Sequence, residues 1–288
     1  MTTPSHFSPD ESNFVIEESS TEMAWLLDLY PLVTTGMGGL FPERADTSLS
    51  DVHDILDLGC GPGGFVLDVA RAYPEIEVTG VDVSQQMVDY ARAHAQARRF
   101  DNAHFHVMNV LKPLGFPDNS FDLVNARTLF AFMTPDTWPL LLQECMRVTR
   151  PGGIFRLTEP EIIITTSPAC QRIWKLLSRA LYVTGRSFSS DGGMIEIIPQ
   201  MTRLLREASF QHIRSKAYPI DQSAGTVAFA GWYQNYQILY KLMEPFLFQS
   251  GVINAEEYEQ LYQQAFIEML SEDFSSVAFY LTAWGQKL

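Results

Sequence analysis

Along much of the first two thirds of the chain, short apolar runs alternate with amphipathic stretches regularly enough to read as strands and helices in turn. Residues 54–58, DILDL, form a strand-like run, followed by a glycine-rich loop and a helix over 65–73. A strand over 77–81, a helix over 85–97 and a strand over 104–108 continue the series. A turn at Phe116-Pro117-Asp118-Asn119-Ser120 then leads into a strand over 121–125 and a helix over 138–148. A second turn, Arg150-Pro151-Gly152-Gly153, precedes a strand over 154–158. Strands separated by helices imply a parallel sheet covered on both faces, so the pattern predicts an α/β protein of three layers.

Beyond Pro160 the rhythm lengthens. Helical spacing covers 169–183 and 198–208, a strand-like segment spans 212–219, and two long helical patterns occupy 226–249 and 255–270. An apolar segment over 276–284 closes the sheet as a seventh strand. Ahead of the alternation, Met23, Leu26, Leu27 and Tyr30 mark a helix over 17–32. A polar, proline-bearing dozen residues before it is expected to fray, and the glycine-rich stretch Thr34 to Gly39 after it reads as a loop. In the 226–249 pattern Phe229, Trp232, Tyr233, Tyr236, Tyr240 and Met243 form an aromatic stripe. Core packing or a subunit contact is its plain reading, and a lid over a small-molecule pocket is the sharper one.

With 288 residues, 46% of them hydrophobic, the chain can bury a large core. A formal net charge of -14 opposes binding to nucleic acid phosphates or anionic lipid heads, which leaves a small molecule as the expected partner. Cys60, Cys145 and Cys170 are far apart with no C-x-x-C pair, which argues against disulfides and structural zinc. No segment has the uncharged length of a membrane span, and the N-terminus lacks a secretory pattern. The expectation is a cytoplasmic protein with no nucleic acid or membrane partner, a homodimer being one option for its assembly.

The loop Asp57-Leu58-Gly59-Cys60-Gly61-Pro62-Gly63-Gly64 satisfies both G-x-G-x-x-G and D-x-G-x-G-x-G, so by itself it admits a dinucleotide or S-adenosylmethionine (SAM). Asp82, at the end of the second strand, is placed to accept from both hydroxyls of an adenosine ribose, as either ligand would need. After the third strand Asn109 offers an amide to an adenine edge, and the fourth ends at Asn125-Ala126-Arg127.

Four successive blocks, ILDLGCGPGG, VTGVDVSQQMVDYARAHA, FPDNSFDLVNARTLFAFM and LLQECMRVTRPGGIFRLTEPE, resemble in order the motifs of class I SAM-dependent methyltransferases, in the branch related to quinone-biosynthesis enzymes. The resemblance covers about residues 52–162 and implies a three-layer Rossmann-like sheet of seven strands, the last antiparallel. It implies that Asp57, Gly59, Cys60, Gly61 and Gly63 line the methionine part of SAM, with Asp57 near its ammonium. Asp82 would hold the ribose, Val83, Met87 and Val110 the adenine ring, Asn109 the adenine amine, and Asn125 would lie near the methionine moiety. Many members carry an Asp where Asn109 stands. Arg127 and Phe130, with Trp232 and Tyr236 of the stripe, are the expected acceptor pocket.

On this basis the chain divides into a tail and covering helix (1–50), a SAM-binding core (51–162), covering helices with a return to the sheet (163–225), and a helical lid with the final strand (226–288). Methyl transfer from a sulfonium is an in-line displacement, governed mainly by positioning and exclusion of water. Where a base is needed, Glu159 and Glu161 beyond the fifth strand and Tyr30 on the first helix are the candidates, with helix capping or solvated charge as the plain alternative for the two glutamates. His104 and His106 share a strand face but lack a third ligand, so ordinary strand histidines and no metal are expected. Cys60 reads as a small packed residue, not a nucleophile. The expected function is methyl transfer from SAM to a small molecule. A SAM-binding protein that does not methylate and an NAD(P)-dependent oxidoreductase stay as alternatives.

Overall fold

A computed structural model describes residues 15–43 and 49–288, so the N-terminal dozen expected to fray lies outside the described residues. The first helix, α1, runs over Ser20–Met37, capped by the Ser19 side chain on the Glu22 amide. It is longer than its spacing suggests, because Thr34 to Met37 are helical and not a loop. Gly36 reads as a loop residue in isolation, yet here it lets Ile220 approach: a Cβ at Gly36 would lie 2.7 Å from the Ile220 side chain.

The alternation then follows as β1 (Asp54–Leu58), α2 (Gly64–Ala72), β2 (Glu77–Asp82), α3 (Gln85–Arg98) and β3 (Ala103–Val107). It continues as β4 (Phe121–Arg127), α4 (Thr137–Val148) and β5 (Thr149–Pro160). The Arg150 to Gly153 turn falls inside β5 as an irregularity, where the register against β4 jumps from Phe121 opposite Thr149 to Leu123 opposite Ile154. Next come β6 (Ile164–Thr165), α5 (Pro168–Val183), α6 (Ile198–Glu207) and β7 (Gln211–Asp221). The chain closes with α7 (Phe229–Leu242), α8 (Glu244–Gln249), α9 (Ala255–Met269) and β8 (Ser276–Gln286). The single helix expected over 226–249 is thus two, because Pro245 has no N–H to bond the Lys241 carbonyl.

The strands form one sheet in the order β3-β2-β1-β4-β5-β8-β6, with β7 also paired to β8. The run from β3 to β5 is parallel, and β8 lies antiparallel between β5 and β7. Eight strands replace the expected seven. The addition is β6, whose two residues sit opposite Val277 and Ser276 and prolong the β5 side of β8. A strand that short leaves no periodicity to read.

Side chains of the central strands alternate between two cores. Ile55 and Leu123 pack with Val66, Val88 and Phe105 on the side of α2 and α3, while Leu56, Leu58 and Val124 join the larger core on the other face. Two residues on from Ile55 and Leu123, and so on the same side, stand Asp57 and Asn125. They lie at the carboxyl ends of β1 and β4, where the strand order reverses and ligands bind in sheets of this kind.

At the N-cap of α2, Gly63 has φ +85, and a Cβ there would come within 2.8 Å of Phe105 and 2.9 Å of Ala91. Gly63→Ala is therefore expected to destabilise the fold by about 2–4 kcal/mol, combining left-handed strain with overpacking. Denaturant unfolding reads this directly, and an unchanged midpoint would refute the packing role.

Candidate active site

A cavity of about 720 Å³ opens over the carboxyl ends of β1, β2 and β4. The glycine loop forms its floor through Gly59, Cys60, Gly61 and Gly64, Asp82 and Met87 bound one side, and α1 closes over it with Trp25, Leu26 and Tyr30. An extended α1 is thus a wall of the site and not merely a helix preceding the core.

Asp57 is 5% exposed and sits in a polar row that crosses three strands, for Asp57 is opposite Asn125 and Asn125 opposite Arg156. The Asn125 amide nitrogen donates to Asp57 Oδ1 (2.7 Å), and Asn125 Oδ1 accepts from Arg156 Nη1 (2.6 Å). Arg156 in turn pairs with Glu43 through Nε to Oε1 (2.7 Å) and Nη2 to Oε2 (3.2 Å). The row fixes both the rotamer of Asp57 and the orientation of the Asn125 amide. Burial pushes the Asp57 carboxyl up to about 6, against the pull of the Asn125 hydrogen bond and of Arg127 and Arg156.

Asp82 accepts from the Gly61 amide at Oδ2 (2.8 Å) and from the Ser84 amide at Oδ1 (3.0 Å), which leaves further lone pairs on each oxygen for a ligand. Burial raises its pKa, with the two backbone hydrogen bonds opposing. Glu18 accepts from the Ser84 hydroxyl (2.5 Å), and Glu22 is pushed up to about 7, chiefly by burial, with Asp82 and Glu18 adding like charge. Five carboxylates border the cavity, from Glu17, Glu18, Glu22, Asp57 and Asp82, against the single cation of Arg127. That cation is already engaged: its Nη1 donates to Thr34 Oγ1 (3.0 Å) and its guanidinium lies 4.7 Å over the Tyr30 ring.

Tyr30 borders the cavity and donates to Asp68 Oδ2 (3.1 Å). Burial drives its phenol pKa upward, with the Arg127 charge opposing. Of the two glutamates, Glu159 stands near the end of β5 and borders neither cavity, while Glu161, just past β5, borders a second, smaller one. Glu159 is 0% exposed and accepts from the Leu129 amide (2.8 Å) and the Phe130 amide (3.3 Å). That grip holds the preceding Thr128 at φ +61, a rare conformation for a β-branched residue, at the boundary of the two cavities. Burial pushes the Glu159 carboxyl up to about 8 despite the two amides. Glu161 accepts from the amides of Ile195 (2.9 Å), Glu196 (2.9 Å) and Ile162 (3.0 Å). Both glutamates thus anchor backbone.

The second cavity, of about 80 Å³, continues behind the first and shares Ile16, Trp25, Leu29, Thr128 and Ala131 with it. Phe130, Trp232 and Tyr236 border this inner space, and Arg127 borders the outer one. Cys60 and Val83 border the outer cavity, where burial raises the Cys60 thiol well above its usual pKa. Three of the expected cofactor-binding residues lie apart from both cavities. Asn109 turns its Oδ1 back onto the Leu111 amide (2.9 Å), Val110 is packed in the larger core, and Gly63 faces Phe105 and Ala91. His104 pairs with Glu77 (2.7 Å) and His106 meets the Phe116 ring edge-on. Among the described residues no group of three His, Cys, Asp or Glu is placed to hold a metal ion.

Sequence reasoning missed Arg156, Glu43, Glu22 and Trp25. For Arg156 the signal was present: a charged residue between Phe155 and Leu157 in a strand buried on both faces must have a buried partner.

Residues 55–153 match the family described as "Methyltransferase domain". Residues 55–153 form a class I SAM-dependent methyltransferase domain. The protein named "Probable methyltransferase ltbC", from Aspergillus luteorubrus, is 30% identical over 62% of this chain and 62% of its own length. Demethylmenaquinone methyltransferase from Symbiobacterium thermophilum is 34% identical over 38% of this chain and 44% of its own. This chain therefore spans less than two thirds of either curated relative. Geranyl diphosphate C-methyltransferase from Streptomyces coelicolor A3(2), solved with Mg2+, geranyl diphosphate and S-adenosyl-L-homocysteine, superposes with a TM-score of 0.51 at 15% identity. The superposition covers 94% of this chain and 85% of that one, and it shows a common fold. Among the described residues of this methyltransferase-domain chain, no helix is long and apolar enough to cross a membrane.

Glu159→Ala would orphan the Leu129 and Phe130 amides, at about 1–3 kcal/mol each, and release Thr128. Glu159→Gln keeps a carbonyl for one amide and adds no buried charge, so it is expected to cost about half as much or less. Urea unfolding of the two variants checks this, and equal losses would argue against the clamp.

Proposed function

We propose that the chain transfers the methyl group of SAM to a small-molecule acceptor held beneath the helical cover. The observation that carries this reading is the charge of the outer cavity, in which five carboxylates face one engaged arginine. A pyrophosphate would be repelled there, whereas a ligand bearing an ammonium and a sulfonium is favoured. The residues fit SAM on a further count: Asp82 keeps free lone pairs for a ribose diol.

When bound, SAM supplies an electrophilic methyl on sulfur. In this reading Asp57 accepts from the ligand ammonium, oriented by Asn125, and Asp82 accepts from the ribose hydroxyls. Gly59, Cys60 and Gly61 border the methionine tail, while Val83 and Met87 flank the base. Asn109 and Val110 are left out of the contact set, because one is turned onto its own backbone and the other is packed away. Trp25 and Leu26 of α1 exclude water from the reacting centre. A strong base is not part of the scheme: Glu159 and Glu161 serve as backbone anchors, and Tyr30 donates to Asp68 beside Arg127. Positioning and desolvation then supply the rate. The helices α5 and α7 close the acceptor side through Trp174, Leu177, Trp232 and Tyr236.

In the test, the protein is incubated with SAM and a metabolite extract, and S-adenosylhomocysteine is quantified. Product formation and a thermal shift with S-adenosylhomocysteine are expected. A shift with NAD alone would overturn the reading, and binding without turnover across the extract would favour a SAM-binding protein that does not methylate.

The Asp57 carboxyl, pushed up to about 6 in the free protein, must be ionised to pair with an ammonium. Affinity for S-adenosylhomocysteine is therefore expected to level off only above about pH 7, where Glu22 is also largely ionised, and to fall by up to about tenfold per pH unit below pH 6. Asp57→Asn should weaken binding about 10–100-fold and flatten that pH dependence. Calorimetry across pH 5–8 checks both, and an unchanged slope in the variant would show that another group carries the effect.

A further inference from the structure

The inner cavity is aromatic, bordered by the indoles of Trp25, Trp174 and Trp232 and the phenols of Tyr236 and Tyr280. Its polar groups can be eliminated one by one. The Trp25 N–H donates to Asn235 Oδ1 (3.0 Å), the Trp174 N–H to the Tyr240 hydroxyl (3.1 Å), and the Tyr236 hydroxyl to Gln222 Oε1 (2.7 Å). Glu161 is occupied by three backbone amides. What is left is neutral. The buried Trp232 N–H meets no acceptor among the described residues, the Tyr280 hydroxyl is joined to no other described residue, and the Thr128 hydroxyl stands at the boundary with the outer cavity. No lysine, arginine or aspartate borders this space.

A buried indole N–H without a partner is costly, and an incoming oxygen would satisfy it. The volume, about 80 Å³, is several times the roughly 10–15 Å³ needed to admit one water and so suits a single ring. We propose that this inner cavity is the acceptor subsite and selects a neutral, oxygen-bearing aromatic molecule, its ring among Trp25, Trp174 and Trp232 and its oxygen on the Trp232 N–H and Tyr280 hydroxyl. A phosphorylated or carboxylated acceptor finds no free cation there, and an alkylammonium finds no free carboxylate. The inference rests on the methyl-transfer reading, since it takes the outer cavity for the donor.

The test uses the full chain saturated with S-adenosylhomocysteine and three single-ring probes: benzene, phenol and benzoate. Dissociation constants come from calorimetry or ligand-observed NMR. The expected result is that phenol binds at least about fivefold tighter than benzene and that benzoate binds more weakly than either. In Trp232→Phe, which keeps an aromatic ring and removes the N–H, the phenol preference should fall to about twofold or less, with S-adenosylhomocysteine binding retained. Tyr280→Phe provides a second, independent reading should Trp232→Phe fail to fold. Tightest binding of benzoate, or a phenol preference that survives both variants, would overturn the proposal. Failure of S-adenosylhomocysteine itself to bind would instead overturn the donor reading, so the two are separable.

Discussion

The arrangement of the site hangs on one buried polar row, Glu43-Arg156-Asn125-Asp57, laid across the middle of the sheet. Parallel strands in register put Asp57, Asn125 and Arg156 side by side, and Glu43 meets Arg156 from the turn beyond α1. A lone arginine at position 156 would be an unpaired charge in a water-free layer, and removing one member of such a pair costs about 3–5 kcal/mol. The row therefore constrains more than one strand. It demands that the segment after α1 return to the sheet with Glu43, and it leaves Asp57 with one carboxylate oxygen held and the other open to the cavity.

That demand ties the first helix to the core. On its way to Glu43 the chain passes through α1, which is pinned on three sides: Thr34 receives the Arg127 guanidinium, Tyr30 reaches Asp68 of α2, and Trp25 exchanges hydrogen bonds with Asn235 of α7. One helix thus borders the outer cavity through Tyr30 and Leu26 and reaches α7 through Trp25. The same contacts explain the glycines it meets, for Gly64 leaves no Cβ to collide with the Tyr30 ring, 2.7 Å from where one would stand. Loop and helix are shaped to each other, and the outer cavity is the space left between them.

The sheet from β1 to β5 was legible because its strands are short apolar runs separated by helices of ordinary length, and the boundaries fall within a few residues of the expected ones. Legibility failed where tertiary contacts override local chemistry. Gly36 looked like a loop residue but makes room for Ile220, and the 226–249 helix is cut at Pro245 although its apolar stripe runs through. The site divides the same way. Asp57, Asp82 and the loop could be placed because they end strands. Asn109 could not, since whether a short amide bonds its own backbone or a ligand depends on geometry that spacing does not encode. Glu159 and Glu161 were singled out by position as candidate bases, and only the amides around them reveal anchors.

The topology also separates the two halves of the site. β7 and β8 pair antiparallel, so the chain could cross between them in a short turn, yet it departs through α7, α8 and α9 before returning. Because the ends of that excursion are fixed by the strand pair, its length adds little to the entropy of closure. Its contents can therefore change without disturbing the row at Asp57 or the loop that follows. The outer cavity is bound to the sheet by register and buried charge, whereas the inner one is lined largely by side chains on helices hung from a hairpin. Under the proposed methyl transfer, the aromatic lining and the unpaired Trp232 N–H therefore carry more information about the acceptor than any residue of the glycine loop.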